Sequence, residues 1–208
     1  MAPLCHCAEC VRLLLATAHV PLAAAPRHSQ PSWSALLELR GPTGSSPAVP
    51  LGALPVLTLP SGVVVTQSGA HARYAAKKAG LYPRDDDEKA LFIDEIIGVA
   101  EDAQNKVPQG GDADAKKAAR AAYVKDGLPK YFNYLSAKLG AGPFFGGAAI
   151  NLADLAVFAI THAVATGGWD YVDGDAVLAD YPALKAHHAA LRAHPLVVAH
   201  GHLGAPKA

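Results

Sequence analysis

The feature that most constrains the fold of this chain is a change in sequence character between Tyr82 and Asp85. Before it, "ALPVLTLPSGVVVTQS" holds two short runs rich in leucine and β-branched residues around residues 60–62, which predicts an antiparallel hairpin. After it no further strand pattern appears, and the periodic segments favour helices. The sequence therefore predicts an α/β domain over residues 1–82, followed by an all-helical domain over residues 83–208.

In the first part, caps and breakers predict two helices. One is expected over residues 5–19, because its apolar residues recur at helical spacing and Pro21 stops it. The next stretch, rich in Pro, Ser and Gly, predicts a loop with one helical turn near Trp33. A second helix is expected from Ser68, as the N-cap, to a closing Gly80.

In the second part, Asp85 and Glu88 have the spacing of a capping box before a helix that runs to about Lys106. Another helix is predicted from about Asp114 to Leu139, and "GAGPFFGG" predicts a turn. The last three helices are expected to begin at Asn151, to lie near Leu184 and to follow Pro195.

The composition excludes several classes of protein. With 51% hydrophobic residues the chain can bury a core, and eighteen basic against eighteen acidic residues argue against binding to nucleic acid or to a charged membrane surface. No apolar run reaches the roughly 18 residues of a membrane span. Three cysteines are too few for a disulfide framework and favour a reduced, cytoplasmic location. A secretory signal over the N-terminal apolar run is disfavoured, because Glu9, Arg12 and His19 interrupt the expected pattern.

Four segments in order resemble the cytosolic glutathione transferases, in particular the Tyr-type sigma or pi-like branch. They are "AECVRLLLATAHVP", the Leu-Pro hairpin with its Gln-Ser helix, "DEIIGVAEDAQNK", and "FFGGAAINLADLAVF" with "YPALKAHHAALRAHPLVVAH". The resemblance implies a thioredoxin-like N-terminal domain and a helical C-terminal domain. It also implies a homodimer that joins glutathione, as co-substrate and without a further cofactor, to electrophilic small molecules.

The resemblance implies which residues bind glutathione. Pro55 follows Leu54 through a cis bond in the family, and the backbone of Val56 pairs with the cysteinyl part of the tripeptide. Gln67 and Ser68 open a helix whose N-terminus suits the γ-glutamyl carboxylate.

Two further positions carry alternatives. Asp102 falls where the pi-like branch reaches across the dimer to the γ-glutamyl amino group, or it is a solvated helix charge. Trp33 resembles the tryptophan that meets the glycyl carboxylate, or it is a partly buried anchor. Asn151 and Asp154 have the spacing of a capping box, so Asp154 is expected to be structural rather than catalytic.

The sequence departs from the family at the group that activates the glutathione sulfur. The family's first strand carries a tyrosine which, counted back from Ala8-Glu9, would fall at or before Met1. We therefore expect the printed start to lie downstream of the true one; the alternative is an abnormally built first domain. Three other positions also differ: Leu37 and Ala53 replace a lysine and a glutamine, and His71, expected in the core, replaces an aliphatic residue.

The cysteines near the start suggest other chemistry. Cys5 aligns with the nucleophile of Cys-type, omega-like transferases, where a helix N-terminus would acidify its thiol; the alternative is chance. Metal binding by Cys5, His6, Cys7 and Cys10 is disfavoured, because adjacent ligands on one turn rarely close a tetrahedron, so no metal is expected.

The leading hypothesis is thus glutathione conjugation to an electrophile that the sequence does not name. The alternatives are a non-catalytic ligand-binding or structural protein of the same fold, and a Cys5-dependent thiol transferase.

Overall fold

The structure is a computed structural model that describes residues 45–53 and 55–199. The chain divides into two compact units between Gly80 and Leu81. Within the described residues, none of the helices combines the length and the apolar character needed to cross a membrane.

The described part of the first unit is a hairpin followed by a helix. Strands β1 (Leu57–Thr58) and β2 (Val64–Val65) pair antiparallel, with Leu57 opposite Val65. Gly62 makes the turn at a φ of 83°, and its N–H donates to the Leu59 carbonyl at 2.8 Å. The predicted hairpin is therefore confirmed, and glycine suits a turn position with positive φ.

Helix α1 (Ser68–Ala79) follows the hairpin and ends at Gly80, whose left-handed conformation confirms the predicted closing glycine. The prediction of Ser68 as the N-cap was wrong: Gln67 is the N-cap, and Ser68 is the first helical residue. His71 is buried, as predicted, and its Nε2 lies 2.9 Å from the Val65 carbonyl oxygen. A histidine in this core position therefore ties α1 to β2, which an aliphatic side chain cannot do.

The described part of the second unit consists of helices joined by loops. Its helices are α2 (Asp87–Asn105), α3 (Ala113–Ala122), α4 (Leu128–Leu139), α5 (Leu152–Ala165), α6 (Gly174–Ala179), α7 (Pro182–Ala193) and α8 (Pro195–Ala199). Helix α5 is buried along most of its length and packs against α2, α6 and α7. An apolar surface on all sides is typical of a central core helix.

Helix α2 has the predicted extent, but its cap lies one residue later than predicted. Asp86 rather than Asp85 is the N-cap, and its side chain accepts from the Lys89 backbone N–H at 3.0 Å. Neighbouring aspartates compete for such a position, because each has a carboxylate that can cap.

The predicted single helix over residues 114–139 is interrupted by a π-helical turn, Tyr123–Gly127, between α3 and α4. The Leu128 N–H donates to the Tyr123 carbonyl, five residues back. Pro129 has no N–H to offer the Lys125 carbonyl, which breaks the α-helical register here. At Gly127, a Cβ would lie 2.5 Å from the Tyr123 ring, so the turn needs a residue without a side chain.

Helix α6 was not predicted, because its six residues begin with glycine and show no helical repeat long enough to recognise. It is capped by Asp173, which accepts from the Ala176 N–H at 3.1 Å. At Gly174, a Cβ would lie 2.0 Å from the Val164 carbonyl oxygen. This close approach explains why the helix begins with glycine.

Candidate functional site

The candidate site in the first unit lies at the N-terminus of α1, where Gln67 has an unusual backbone conformation. Its φ is 75° and its ψ is 109°. Residues with side chains rarely adopt such positive φ values, which cost on the order of 1–3 kcal/mol and cluster at functional sites. A fold that holds Gln67 in this conformation thus indicates a position with a role beyond packing.

The first turn of α1 has open backbone donors. The Gln67 carbonyl accepts from Ala70 and His71, but no side chain caps the helix. Within residues 45–53 and 55–199, no group accepts from the backbone N–H of Ser68 or Gly69. The first turn also contains no acidic residue. Open N–H groups and the helix dipole together favour a bound carboxylate.

Val56 provides a second set of open backbone groups. The Leu59 N–H donates to the Val63 carbonyl at 2.9 Å, so Leu57 and Leu59 direct their backbone groups towards β2. Val56 therefore directs its groups away from β2, and in the described part of the chain neither group has a backbone partner. Such an edge can pair with an extended peptide.

The hairpin brings these two features to the same end of the first unit. Val56 immediately precedes β1, and Gln67 and Ser68 follow β2 closely. Because β1 and β2 are antiparallel, the start of one lies beside the end of the other, opposite the Gly62 turn. Pro55, Val56, Gln67 and Ser68 are thus neighbours in the fold.

The described structure does not bring the other predicted site residues to this end of the hairpin. Cys5, Trp33 and Leu54 lie outside the described residues. Asp102 lies on the last turn of α2, where its carboxylate accepts from Lys106 Nζ at 3.1 Å. The Asp102 side chain is 60% exposed, so it is accessible to a ligand or a partner. The glutathione-binding roles of all these residues stay predictions.

The capping box at the start of α5 is present. The Asn151 side chain accepts from the Ala153 N–H, and Asp154 Oδ2 accepts from the Asn151 N–H, each at 2.8 Å. Asp154 is fully buried, and its Oδ1 also accepts from the Phe145 N–H at 2.8 Å. The carboxylate is therefore surrounded by protein donors, which is a structural arrangement.

The sequence analysis missed the histidine that completes this arrangement. His187 on α7 is buried, and its Nε2 lies 2.9 Å from Asp154 Oδ1. Its other ring nitrogen, Nδ1, is buried without a hydrogen-bond partner in the described structure. Thirty-three residues separate His187 from Asp154, and no local pattern connects positions so far apart.

A second pair of histidines lies between the same two helices. His162 Nδ1 on α5 and His188 Nε2 on α7 are 3.3 Å apart, and both rings stack on Phe158. The pKa of His188 is lowered from 6.5 to about 4, mainly by burial and then by charge repulsion from His162, Arg192 and His187. His188 is thus held in its neutral form at physiological pH. Apart from the number of histidines, no pattern in the sequence indicates this pairing.

A metal centre has no support in the described part of the chain. Between residues 45 and 199, apart from Leu54, no three His, Cys, Asp or Glu side chains are grouped to hold a metal ion. The cysteines that suggested such chemistry lie outside this range.

Comparison with known proteins shows what the chain is similar to. Residues 103–201 match the glutathione S-transferase C-terminal domain. The hematopoietic prostaglandin D synthase of Gallus gallus is 31% identical over 109 residues, which are 52% of this chain and 54% of that relative. The match thus spans about half the length of the relative.

Solved structures extend the likeness to most of the chain. Rat hPGDS complexed with a quinoline has a TM-score of 0.73 at 22% identity, covering 95% of this chain and 91% of its own. The glutathione S-transferase from Ascaris lumbricoides has a TM-score of 0.70 at 19% identity, covering 99% and 96%. At such identities the likeness shows the fold, and it confirms the predicted thioredoxin-like domain followed by a helical domain. In its fold and its C-terminal domain, the chain is a glutathione-transferase-like protein.

Proposed function

We propose that this protein binds glutathione through its first unit and transfers it to electrophilic small molecules. The observation that carries the proposal is the N-terminus of α1, where strained Gln67 leaves the N–H groups of Ser68 and Gly69 open. The γ-glutamyl carboxylate supplies the negative charge that these donors favour. Hydrogen bonds of this kind to a charged group each contribute about 1.5–3 kcal/mol.

The backbone of Val56 would bind the rest of the tripeptide. Glutathione has an extended peptide portion, whose N–H and C=O groups match the open edge that precedes β1. Because Val56 and Ser68 lie at the same end of the hairpin, one ligand can contact both. This arrangement would fix glutathione at two points and leave its thiol free to react.

In the proposed reaction, the glutathione thiol loses its proton and the sulfur attacks an electrophilic carbon. A thioether bond forms, and the bond to a leaving group such as chloride breaks. A thiol with a pKa near 8.5 needs about 2.7 kcal/mol of differential stabilisation for its pKa to fall by two units. We assign this stabilisation to none of the described residues.

The test is calorimetric titration of the protein with reduced glutathione. The Ser68 hydroxyl lies beside the two open N–H groups, and we expect it to donate to the same carboxylate. Ser68→Ala should therefore weaken binding about tenfold, because removing one hydrogen bond to a charged group costs about 1.4 kcal/mol or more. The matched control is Ser61→Ala, which makes the same change in the exposed hairpin turn. Cysteinylglycine, which lacks the γ-glutamyl group, should bind weakly and equally to wild type and Ser68→Ala.

If glutathione fails to bind at millimolar concentration, the proposal is wrong. Equal binding to wild type and Ser68→Ala would remove the assigned role of the Ser68 hydroxyl, and glutathione binding no tighter than that of cysteinylglycine would remove the assigned role of the α1 N-terminus. A conjugation assay with 1-chloro-2,4-dinitrobenzene then measures transfer separately from binding. The name of the Gallus gallus relative supports including prostaglandin D formation among the activities assayed.

The second candidate function is glutathione or ligand binding without transfer. Leu37 and Ala53, which replace the lysine and glutamine expected from the family resemblance, favour it because each removes a polar contact. Binding in the titration without thioether formation would support this candidate over the first.

A homodimer in the cytoplasm, with glutathione as co-substrate and no further cofactor, completes the proposal. Asp102 would then contact the γ-glutamyl amino group of glutathione held by the other protomer. The exposure of its side chain is compatible with this role. Light scattering tests the dimer, and Asp102→Asn should weaken glutathione binding only if the dimer forms.

A further inference from the structure

Tyr131 on the first turn of α4 has an environment that differs from those of the other tyrosines in the second unit. Its ring is buried, with 7% of the residue exposed. Lys106 Nζ, just after α2, donates to Tyr131 Oη at 2.7 Å. Lys130 Nζ lies 4.7 Å from the centroid of the Tyr131 ring. Two ammonium groups thus converge on one phenol.

The direction of the hydrogen bond decides which form of the phenol is stabilised. An ammonium that donates to the phenolic oxygen stabilises the phenolate, which accepts more strongly than the neutral phenol. In the structure as described, no group accepts a hydrogen bond from Tyr131 Oη. The hydrogen bond from Lys106 lowers the pKa of Tyr131 most; burial opposes it in part, and Lys130 lowers the pKa further. The same hydrogen bond raises the pKa of Lys106, which keeps it charged.

Other tyrosines of this unit use their hydroxyl groups in the opposite sense. Tyr134, one turn further along α4, donates to Glu95, although Lys138 Nζ lies 5.2 Å from its ring. Tyr123 donates to the Ala103 carbonyl at 2.6 Å, and burial raises its pKa. A nearby lysine is therefore not sufficient: the phenolate is favoured where the lysine donates and no acceptor holds the proton.

The lysines that contact Tyr131 are exposed. The Lys106 side chain that reaches it is 52% exposed, and Lys130 is exposed. Asp102 also contacts Lys106, so the positive charge around the phenol is partly balanced. The buried ring and the hydrogen bond from the exposed Lys106 together hold the oxygen in a fixed position.

We propose that Tyr131 is a reactive modification site, whose oxygen combines with neutral sulfonylating electrophiles in preference to the other described tyrosines. With an aryl sulfonyl fluoride, the phenolate oxygen attacks sulfur, an O–S bond forms, the S–F bond breaks and fluoride leaves. The phenolic proton passes to solvent before the attack. Lys106 and Lys130 are positioning residues that favour the phenolate and neutralise the departing charge. The proposal does not rest on the proposed glutathione-binding function, although Asp102, which contacts Lys106, is given a role in that function.

The experiment treats the whole protein with benzenesulfonyl fluoride at neutral pH and maps the labelled peptides by mass spectrometry over time. We expect Tyr131 to be labelled about tenfold faster than Tyr171, because a hydrogen bond from Lys106 to the charged phenolate is worth about 1.4 kcal/mol or more. Tyr171 is the reference because it is 53% exposed. The labelling rate of Tyr131 should also reach its plateau at a lower pH in wild type than in a variant without the Lys106 donor.

Variants test whether the hydrogen bond from Lys106, rather than solvent exposure of the phenol alone, causes the fast labelling of Tyr131. Lys106→Met removes the donor and keeps the chain length, so it should slow labelling of Tyr131 about tenfold and shift its pH profile upwards. The matched control is Lys125→Met, at an exposed lysine of the π-helical turn, which should react like wild type. Tyr131→Phe keeps the buried ring and should abolish the fast label.

Four results would overturn the proposal. The first is labelling of Tyr171 or Tyr134 as fast as that of Tyr131, and the second is an equal labelling rate for Lys106→Met and wild type. The third is formation of a sulfonamide on the lysines instead of an ester on the phenol, and the fourth is the absence of label at Tyr131. Far-UV circular dichroism of each variant shows whether a slower labelling rate follows from unfolding. Loss of the fast label in Tyr131→Phe assigns that label to Tyr131 independently of Lys106.

Discussion

Acidification should destabilise the second unit through His188, which lies between α5 and α7 with 7% of its surface exposed. Its pKa is lowered to about 4 in the folded protein, against an ordinary value of 6.5, mainly by burial. The groups that act on it are His162 from α5, and Arg192 and His187 from its own helix, all of them cationic when charged. Asp154 faces His187 rather than His188.

The sign and size of the effect follow from linkage. Because the folded pKa is lowered, the unfolded chain binds the proton first, so the contribution of His188 is complete above pH 6.5 and is lost as the pH falls towards 4. A difference of this size corresponds to roughly 3 kcal/mol of unfolding free energy over that interval. Below pH 4 the contribution stays constant, because both states are then protonated.

Urea denaturation at a series of pH values from 7.5 to about 4.5 measures this loss. His188→Gln can keep a hydrogen bond to His162 but does not titrate, so its unfolding free energy should fall by roughly 2 kcal/mol less than that of wild type over the series. His194→Gln is the matched control, because it removes a half-buried histidine just beyond the same helix. Parallel pH curves for wild type and His188→Gln would refute the reasoning.

Two further predictions concern stability, and thermal or urea unfolding checks both. Asp154→Ala should lower the unfolding free energy by on the order of 3–5 kcal/mol, because it leaves the three donors to this carboxylate without an acceptor. Asp173→Ala removes only the cap of α6 and should lower it by about 1 kcal/mol. Similar losses for the two variants would contradict the special role of Asp154. Gly174→Ala should destabilise the protein, since the new Cβ would lie 2.0 Å from the Val164 carbonyl oxygen. In Gly98→Ala, on α2, the new Cβ meets nothing within 4 Å, so this variant should stabilise the protein by about 0.5–1 kcal/mol. The same sign for both glycine variants would be evidence against the packing described at α6.

Local rules predicted much of the second unit. The ends of α2, the turn after α4 and the capping box at Asn151 follow from neighbours in the sequence, because caps and breakers act over three or four residues. The same rules placed two caps one residue away from their true positions, at Ser68 and Asp85. Adjacent polar residues offer similar caps, and packing of the helix decides between them.

What the sequence did not predict depends on contacts between distant residues. Arg120 was not singled out, yet it is buried and donates to the carbonyls of Pro108 and Asp170, fifty residues away in the second case. The same holds for His187 beside Asp154 and for Lys106 beside Tyr131. The strain at Gln67 was likewise not predicted, since glutamine gives no signal of a positive φ. For the candidate site, the family resemblance predicted that Gln67 and Ser68 bind glutathione. The open backbone N–H groups of Ser68 and Gly69 became visible only in the structure.

The π-helical turn at Tyr123–Gly127 has a consequence for how relatives are aligned with this chain. A π turn holds one residue more than an α turn, and each residue of an α-helix advances by about 100° around the axis. A homologue with an uninterrupted helix here therefore needs a one-residue gap between Ala122 and Leu128. Without that gap, every position of α4 would be matched to a neighbour on a different face, and Leu135 in the core would be equated with a surface residue. The turn therefore accommodates one residue more than a regular α-helical turn, while Leu128 and Leu135 on either side of the first turns of α4 stay in the core.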